Sequence, residues 1–185
     1  MWLRTFGGLL LAIVLAAGLA LYFAPTYHHQ PSKKAVAKMD LMAVAAAVRA
    51  YNTEYGKYPG LDRKTPFLDA DSNAFLMRIL RGLDTARNPR KTVFFSAREL
   101  KQEGLFTDSS VGGLNLKTGA LIDPWGNPYR IAIDADYDNV VANPYSDDPP
   151  IQTVVIAWSL GKDGQQGSPA NPHTYKDSDD IVSWQ

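Results

Sequence analysis

Residues 156–184 read IAWSLGKDGQQGSPANPHTYKDSDDIVSW. A β-type run, Val154 to Ser159, feeds a glycine-rich loop with acidic residues at both ends. Asp163 follows the run, and Asp179 and Asp180 precede a short terminal segment, Ile181 to Trp184. A long loop loses chain entropy when ordered, so its ends need a clamp. Carboxylates at both ends supply one if a hard cation lies between them. Calcium takes several oxygen ligands, backbone carbonyls often among them. The stretch therefore reads either as a calcium clasp or as a solvated polar loop.

Immediately upstream, Val154, Ile156 and Trp158 alternate with Val155, Ala157 and Ser159, which is the period of a strand. Asn143 to Pro150 is a loop. Before it, Asp134, Asp136 and Asp138 form a D-x-D-x-D run that matches the first half of an EF-hand loop. Asn139 stands where the turn glycine belongs, and Tyr145 stands where the bidentate glutamate belongs. The run reads as a polar loop, with a second cation site as the alternative. Tyr129, Ile131 and Ile133 alternate with Arg130, Ala132 and Asp134, a half-buried strand. Asp123-Pro124-Trp125-Gly126-Asn127-Pro128 is dense in turn formers between apolar runs and predicts a hairpin connection, with Trp125 over the sheet end.

The N-terminal half is helical by pattern. Ala37, Leu41, Val44, Val48, Tyr51 and Tyr55 recur at steps of three and four, one stripe of an amphipathic helix. Ser32 is its expected N-cap and Gly56 its stop. Ala43, Ala46, Ala47 and Ala50 make a second, flatter face, suited either to core packing or to packing against copies of the same helix. Pro59-Gly60 turns the chain. Asp71-Ser72-Asn73 caps a second helix carrying Phe75, Leu76, Ile79, Leu80 and Leu83. Asn88-Pro89-Arg90-Lys91 is a turn whose basic cluster reads as solvated surface. Thr92 to Phe95 predicts a short strand and Ser96 to Gly104 a helical turn.

Ahead of all this, Phe6 to Ala24 is FGGLLLAIVLAAGLALYFA, uncharged and about long enough as a helix to cross a bilayer. Tyr22 and Phe23 suit the far interface, and Arg4 suits a cytoplasmic N-terminus. The alternative is a cleaved signal peptide with its cut near Gly18-Leu19-Ala20. A retained anchor is expected because the apolar run continues past that point. Residues 1–25 are thus a transmembrane segment, and residues 26–31 a linker holding His28 and His29. Residues 32–185 form one domain outside the cytoplasm.

Composition narrows the classes. The formal net charge of the 185 residues is zero, which argues against a nucleic-acid binder. No cysteine means no disulfide framework, zinc ribbon or thiol nucleophile. There is no phosphate-binding glycine loop and no G-x-S-x-G elbow. A Ser–His–Asp triad would have to use His173, and nothing around it supports one. Carboxylate pairs abound but lie in turn-rich segments, so no enzymatic activity is expected.

In order, an apolar N-terminal helix runs into an Ala-rich helix ending Ala50-Tyr51-Asn52-Thr53-Glu54-Tyr55-Gly56-Lys57-Tyr58-Pro59. Then come Asp123-Pro124-Trp125-Gly126-Asn127-Pro128-Tyr129, Ser159-Leu160-Gly161-Lys162-Asp163-Gly164 and Asp179-Asp180-Ile181-Val182-Ser183-Trp184. This order, over nearly the whole chain, resembles the G-type major pseudopilin of type II secretion systems. The resemblance implies an α+β, pilin-like fold in which a long N-terminal helix, part membrane and part amphipathic, packs on a small antiparallel sheet. It implies a non-enzymatic subunit or accessory of a periplasmic filament on the bacterial inner membrane, with other pseudopilins and secretion-apparatus proteins as partners. It also implies structural calcium in the C-terminal loop. Asp163 and Asp180 would be its side-chain ligands, Leu160 a carbonyl ligand and Asp179 an alternate carboxylate.

The chain departs from the family in two places. The loop from Gly164 to Ser178 is long and carries Pro169 and Pro172. The start, Met1-Trp2-Leu3-Arg4-Thr5-Phe6-Gly7-Gly8-Leu9, lacks the prepilin cleavage motif, and no acidic residue precedes Asp40. The alternative expectation is a calcium-stabilised periplasmic binding protein, anchored or released, that does not polymerise.

Overall fold

A computed structural model describes residues 32–61, 66–100 and 112–185. The expected membrane helix, the His28–His29 linker and the alternative cut after Ala20 lie outside the described residues. Among the described residues no helix is long and apolar enough to cross a membrane.

Helix α1 spans Lys33–Tyr55, 23 residues or about 35 Å at 1.5 Å per residue. Ser32 caps it as expected, its Oγ accepting from Ala35 N–H. Gly56 ends it in the left-handed region at φ 66°, where the absence of a Cβ removes the steric cost. The stripe read from the sequence is the buried one: Ala37, Leu41, Val44, Val48 and Tyr51 are all sealed. Of the flatter face, Ala47 joins the core, while Ala43, Ala46 and Ala50 face out beside the exposed Met39 and Met42.

Helix α2 spans Ala70–Leu80. It starts earlier than its cap residues suggested. The N-cap is Asp69, which accepts from Ser72 N–H at 2.7 Å while Ser72 Oγ accepts from Asp69 N–H, a reciprocal capping box. Leu83 lies beyond the helix and is exposed.

The strands form two small antiparallel sheets. β1 (Gly113–Leu114) pairs with β2 (Leu121–Ile122). β4 (Val155–Ser159) lies between β3 (Arg130–Ile133) and β5 (Ile181–Val182). Arg130 is opposite Trp158, Ile133 opposite Val155, and Ser159 opposite Ile181. The terminal segment is therefore a strand laid on β4.

The expected hairpin at Asp123–Pro128 is present as a bridge between Ile122 and Pro128, but its two arms go into different sheets. The segment Thr92–Phe95 is not a strand. The N–H groups of Phe94 and Phe95 both bond the Leu80 carbonyl at the end of α2, which turns both residues toward the core instead of into a ladder. Ser96 to Leu100 is not helical either; Glu99 bridges Leu114 in parallel.

Strand alternation divides the molecule into two cores. Ile131, Ile133, Val155 and Ala157 face α1, where Leu41, Val44, Val48 and Tyr51 meet them. Ala132, Ile156, Trp158 and Val182 face the other way. There, among the described residues, they are covered by loop residues Val141, Tyr145 and Leu160, with Tyr175 and Trp184 packed alongside. Helix α1 lies across β4 and β5. Its Lys38 Nζ donates to the Val182 carbonyl at 2.7 Å and also to that of Gln185, tying the helix to the terminal strand.

Candidate metal centre

The second core is where the long loops must be held. β4 ends at Ser159, and Gly161 reverses the chain at φ 65°. The position has no room for a side chain, because a Cβ there would lie 2.5 Å from the Asp179 carbonyl oxygen and 2.7 Å from Asp179 Oδ1. Asp179 thus folds back over the start of the loop it closes. Its Oδ2 accepts from Lys162 N–H at 2.7 Å and Asp163 N–H at 3.3 Å.

Asp180 is buried, 2% exposed. Its Oδ2 accepts from the Tyr145 hydroxyl at 2.6 Å and from Gly167 N–H at 2.7 Å. Burial pushes its carboxyl above the ordinary carboxylate range. The hydrogen bonds from Tyr145 and Gly167 oppose that shift, and the charges of Asp179 and Asp163 add to it. Asp163 is exposed, and its Oδ1 accepts from Gln165 N–H at 2.9 Å. Leu160 is buried.

The residues expected from the sequence are therefore neighbours at the mouth of one loop. Their carboxylates do not close into a group of three within 4.8 Å, a spacing that among the described residues belongs to Asp134, Asp136 and Asp138. The other oxygen of each inner carboxylate is differently placed. Asp179 Oδ1 and Asp180 Oδ1 are buried without a hydrogen-bond partner among the described residues. Leaving such an oxygen unsatisfied costs about 1–3 kcal/mol, more when it is charged. Two successive residues bear that cost at the end of one loop. Carboxylate and backbone carbonyl oxygens are the donor types a hard cation takes, so by donor chemistry Leu160, Asp163, Asp179 and Asp180 would suit calcium.

The second acidic group, Asp134, Asp136 and Asp138, can hold a metal ion by spacing alone. Its hydrogen bonding tells a different story. Asp134 is buried, and both of its oxygens are used: Oδ1 by Tyr137 N–H at 2.7 Å and Oδ2 by Asn139 N–H at 2.9 Å. Tyr137 and Asn139 sit at φ 63° and 64°, so Asp134 organises a tight left-handed turn. Asp136 is pushed up by its hydrogen bond to Asp134 and by the charge of Asp138.

Sequence reasoning missed the brackets around the site. Asp123, read as a turn former, is fully buried. It accepts from Trp125 and Asn127 N–H through Oδ1 and from the Ser159 hydroxyl through Oδ2. Asn127 Nδ2 donates to the Gly161 carbonyl at 3.1 Å. On the far side, Gln166 Nε2 donates to the Pro144 carbonyl at 2.7 Å, Asp147 N–H to the His173 carbonyl, and Tyr175 N–H to Asp148 Oδ2 at 3.1 Å. The Asn143–Pro150 loop and the Gly161–Ser178 loop are stitched together. A cleft of about 590 Å³ opens beside them on the outer face of the sheet, among Leu68, Arg130, Ala132, Val141, Pro144 and Trp158. Comparison with family models, characterised proteins and solved structures returns no match for this chain.

Proposed function

We propose that the protein is a pseudopilin-like structural subunit or accessory of a type II secretion pseudopilus. It is anchored in the bacterial inner membrane by Phe6–Ala24, with residues 32–185 in the periplasm, and it carries out no catalysis. Calcium closes its C-terminal loop through the Leu160 carbonyl, Asp163 and Asp180, with Asp179 as alternate carboxylate. The observation that carries the metal reading is the pair of buried, unpartnered oxygens on Asp179 and Asp180. The order of motifs along the chain and the packing of an amphipathic helix across an antiparallel sheet that ends in β5 support the pilin-like reading. The exposed Met39, Met42, Ala43, Ala46 and Ala50 on α1 offer an apolar face for neighbouring subunits.

The calcium would act by linkage. A ligand that binds only the folded state at 100 times its Kd adds about 2.7 kcal/mol. Thermal unfolding of the full chain in detergent, with calcium and with chelator, tests this directly. The melting temperature rises with calcium, and the rise is lost in Asp163→Ala and Asp180→Ala. No response to calcium in the parent chain overturns the metal assignment.

The cleft on the outer face favours a second reading, a calcium-stabilised periplasmic binding protein that does not polymerise. Its volume lies within the range typical of small-molecule sites. Mass spectrometry of the mature N-terminus separates the two. Removal of residues through Ala20 leaves no anchor and ends the filament reading, whereas an intact Phe6–Ala24 segment is what the filament reading requires.

A further inference from the structure

The Asn143–Pro150 loop lies far from the motifs that marked the metal loop, yet it sends one side chain into the centre of that loop. Tyr145 is fully buried. Its ring stands edge-on to Tyr175 at 5.7 Å and packs against Trp184 at 6.3 Å, so aromatic contacts on two sides restrict it. Its own N–H is held by Asn143 Oδ1 at 3.1 Å. Held in this way, the phenol has one polar partner among the described residues, Asp180 Oδ2 at 2.6 Å, and that oxygen's second donor is Gly167 N–H, from within the same loop. With both donors on Oδ2, the carboxylate cannot rotate without breaking two short bonds, and Oδ1 is the oxygen left over.

We propose that Tyr145 is the positioning residue of the metal site: it fixes the Asp180 carboxylate so that Oδ1 is the atom presented to the cation. This rests on the calcium reading above. The physical basis is that ligating carboxylates are oriented by their own hydrogen-bond partners. Losing such a partner typically weakens metal binding about 10- to 100-fold with every ligand still present. Tyr145 acts through Asp180, to which its hydroxyl donates. It also gives the Asn143–Pro150 loop a reason to be held by so many bonds to the metal loop, since a drifting Tyr145 would release Asp180.

The test is calorimetric calcium titration of the full chain in detergent. It compares the parent with Tyr145→Phe, which deletes one oxygen and keeps the ring, and with Tyr175→Phe. The Tyr175 hydroxyl donates to the Asp180 backbone carbonyl, at 3.4 Å, and not to its carboxylate, so Tyr175→Phe serves as the packing control. The expected result is a Kd raised about 10- to 100-fold in Tyr145→Phe and unchanged in Tyr175→Phe. The calcium-dependent rise in melting temperature at fixed calcium shrinks accordingly. A merely structural tyrosine would lower the melting temperature in chelator and leave Kd alone, and that pattern overturns the proposal. Equal losses in both variants overturn it too. If the parent binds no calcium, the metal reading itself fails. If the parent binds and Tyr145→Phe binds equally well, only the role of Tyr145 fails. A fluorotyrosine at position 145 gives a second readout that does not need Tyr145→Phe to fold. Its fluorine resonance moves as calcium saturates the site, and an unmoved resonance overturns the proposal.

Discussion

The hydroxyl of Ser159 donates to Oδ2 of Asp123 at 2.5 Å, and both residues are fully buried. This bond joins the last residue of β4 to the Asp123–Pro128 turn. The same Ser159 Oγ then accepts from Gly161 N–H at 3.1 Å. A three-residue chain of hydrogen bonds thus sets the direction in which the C-terminal loop leaves the sheet.

Ser159→Ala breaks both bonds while leaving Asp123 Oδ2 and Gly161 N–H inside. Stranding two buried polar groups costs about 2–4 kcal/mol, taking roughly 1–3 for each and allowing partial relaxation. Urea unfolding of the metal-free chain measures it. A loss below about 0.5 kcal/mol would mean that the bond does not hold the loop.

Asp123 also predicts a pH dependence. Burial pushes its carboxyl above the ordinary 3.8, with the bonds from Ser159, Asn127 and Trp125 opposing. A raised folded value means that the native state binds the proton more tightly than the unfolded chain does. The associated stability is complete below the unfolded value and is lost as pH rises through the folded one. Asp123→Asn mimics the neutral acid and does not titrate. Relative to Asp123→Asn, the parent therefore loses stability as pH rises from about 4 through that window. Paired urea midpoints across this range measure the change. A constant difference between the two would show that Asp123 has the same affinity for its proton folded and unfolded.

Asn73 makes a similar bracket farther from the metal loop. Its Nδ2 donates to the carbonyls of Leu121 and Tyr129, at 3.2 and 2.6 Å, and its Oδ1 accepts from Leu121 N–H at 2.9 Å. Side chain and backbone are matched in full, which pins α2 to both arms of the Asp123–Pro128 turn. Asn73→Ala removes the donor to the Tyr129 carbonyl and the acceptor of Leu121 N–H, while the Leu121 carbonyl keeps Tyr129 N–H at 3.2 Å, and it destabilises by about 3 kcal/mol. Asn73→Asp keeps the acceptor but sets a carboxylate against two carbonyls, so it does no better. Chemical denaturation of the two variants checks both statements.

Much of this architecture was legible in the residues. The α1 stripe from Ala37 to Tyr51 repeats at helical spacing, and only one face of a helix satisfies that repeat. Gly56, the alternation in β3 and β4, and the return of Ile181–Val182 were legible for the same local reasons. Asn73 and Asp123 were not. In sequence they look like caps and turns, which is where such residues usually occur, and nothing local tells that Asn73 will bond carbonyls 48 and 56 residues away or that Asp123 will accept from Ser159, 36 residues on. Thr92–Phe95 misled because its β-type composition carries no information about whether a partner strand is within reach. That the two ends of the Gly161–Ser178 loop lie together was legible through the strand pattern on either side of it. The role of Tyr145 was not, because it depends on how two loops lie against each other.

Gly161→Ala and Gly56→Ala separate backbone strain from site geometry. Both glycines sit near φ 65°, so each substitution carries a left-handed penalty of roughly 1–2 kcal/mol. Around Gly56 there is open space, with nothing within 4 Å of an added Cβ, whereas at Gly161 the Cβ meets the Asp179 carbonyl and carboxylate. Gly161→Ala is therefore the more destabilising, and it alone diminishes the calcium-dependent rise in melting temperature. Equal costs with equal calcium responses would show that Asp179 need not lie where it does for the loop to close.

Two acidic groups compete as the proposed cation site. Asp134, Asp136 and Asp138 satisfy the distance criterion, but Asp134 has both oxygens engaged by backbone N–H groups and Asp138 Oδ1 accepts from Val140 N–H at 2.8 Å. A cation there would have to compete with bonds that already define the turn. At the close of the C-terminal loop, Asp179 Oδ1 and Asp180 Oδ1 have no such competitor among the described residues. Asp136→Asn and Asp138→Asn consequently leave the calcium-dependent melting shift intact, while Asp180→Asn removes it. Loss of the shift in Asp136→Asn or Asp138→Asn with retention in Asp180→Asn would move the site to the Asp134–Asp138 turn. The sealed oxygens at the chain's end would then need another explanation.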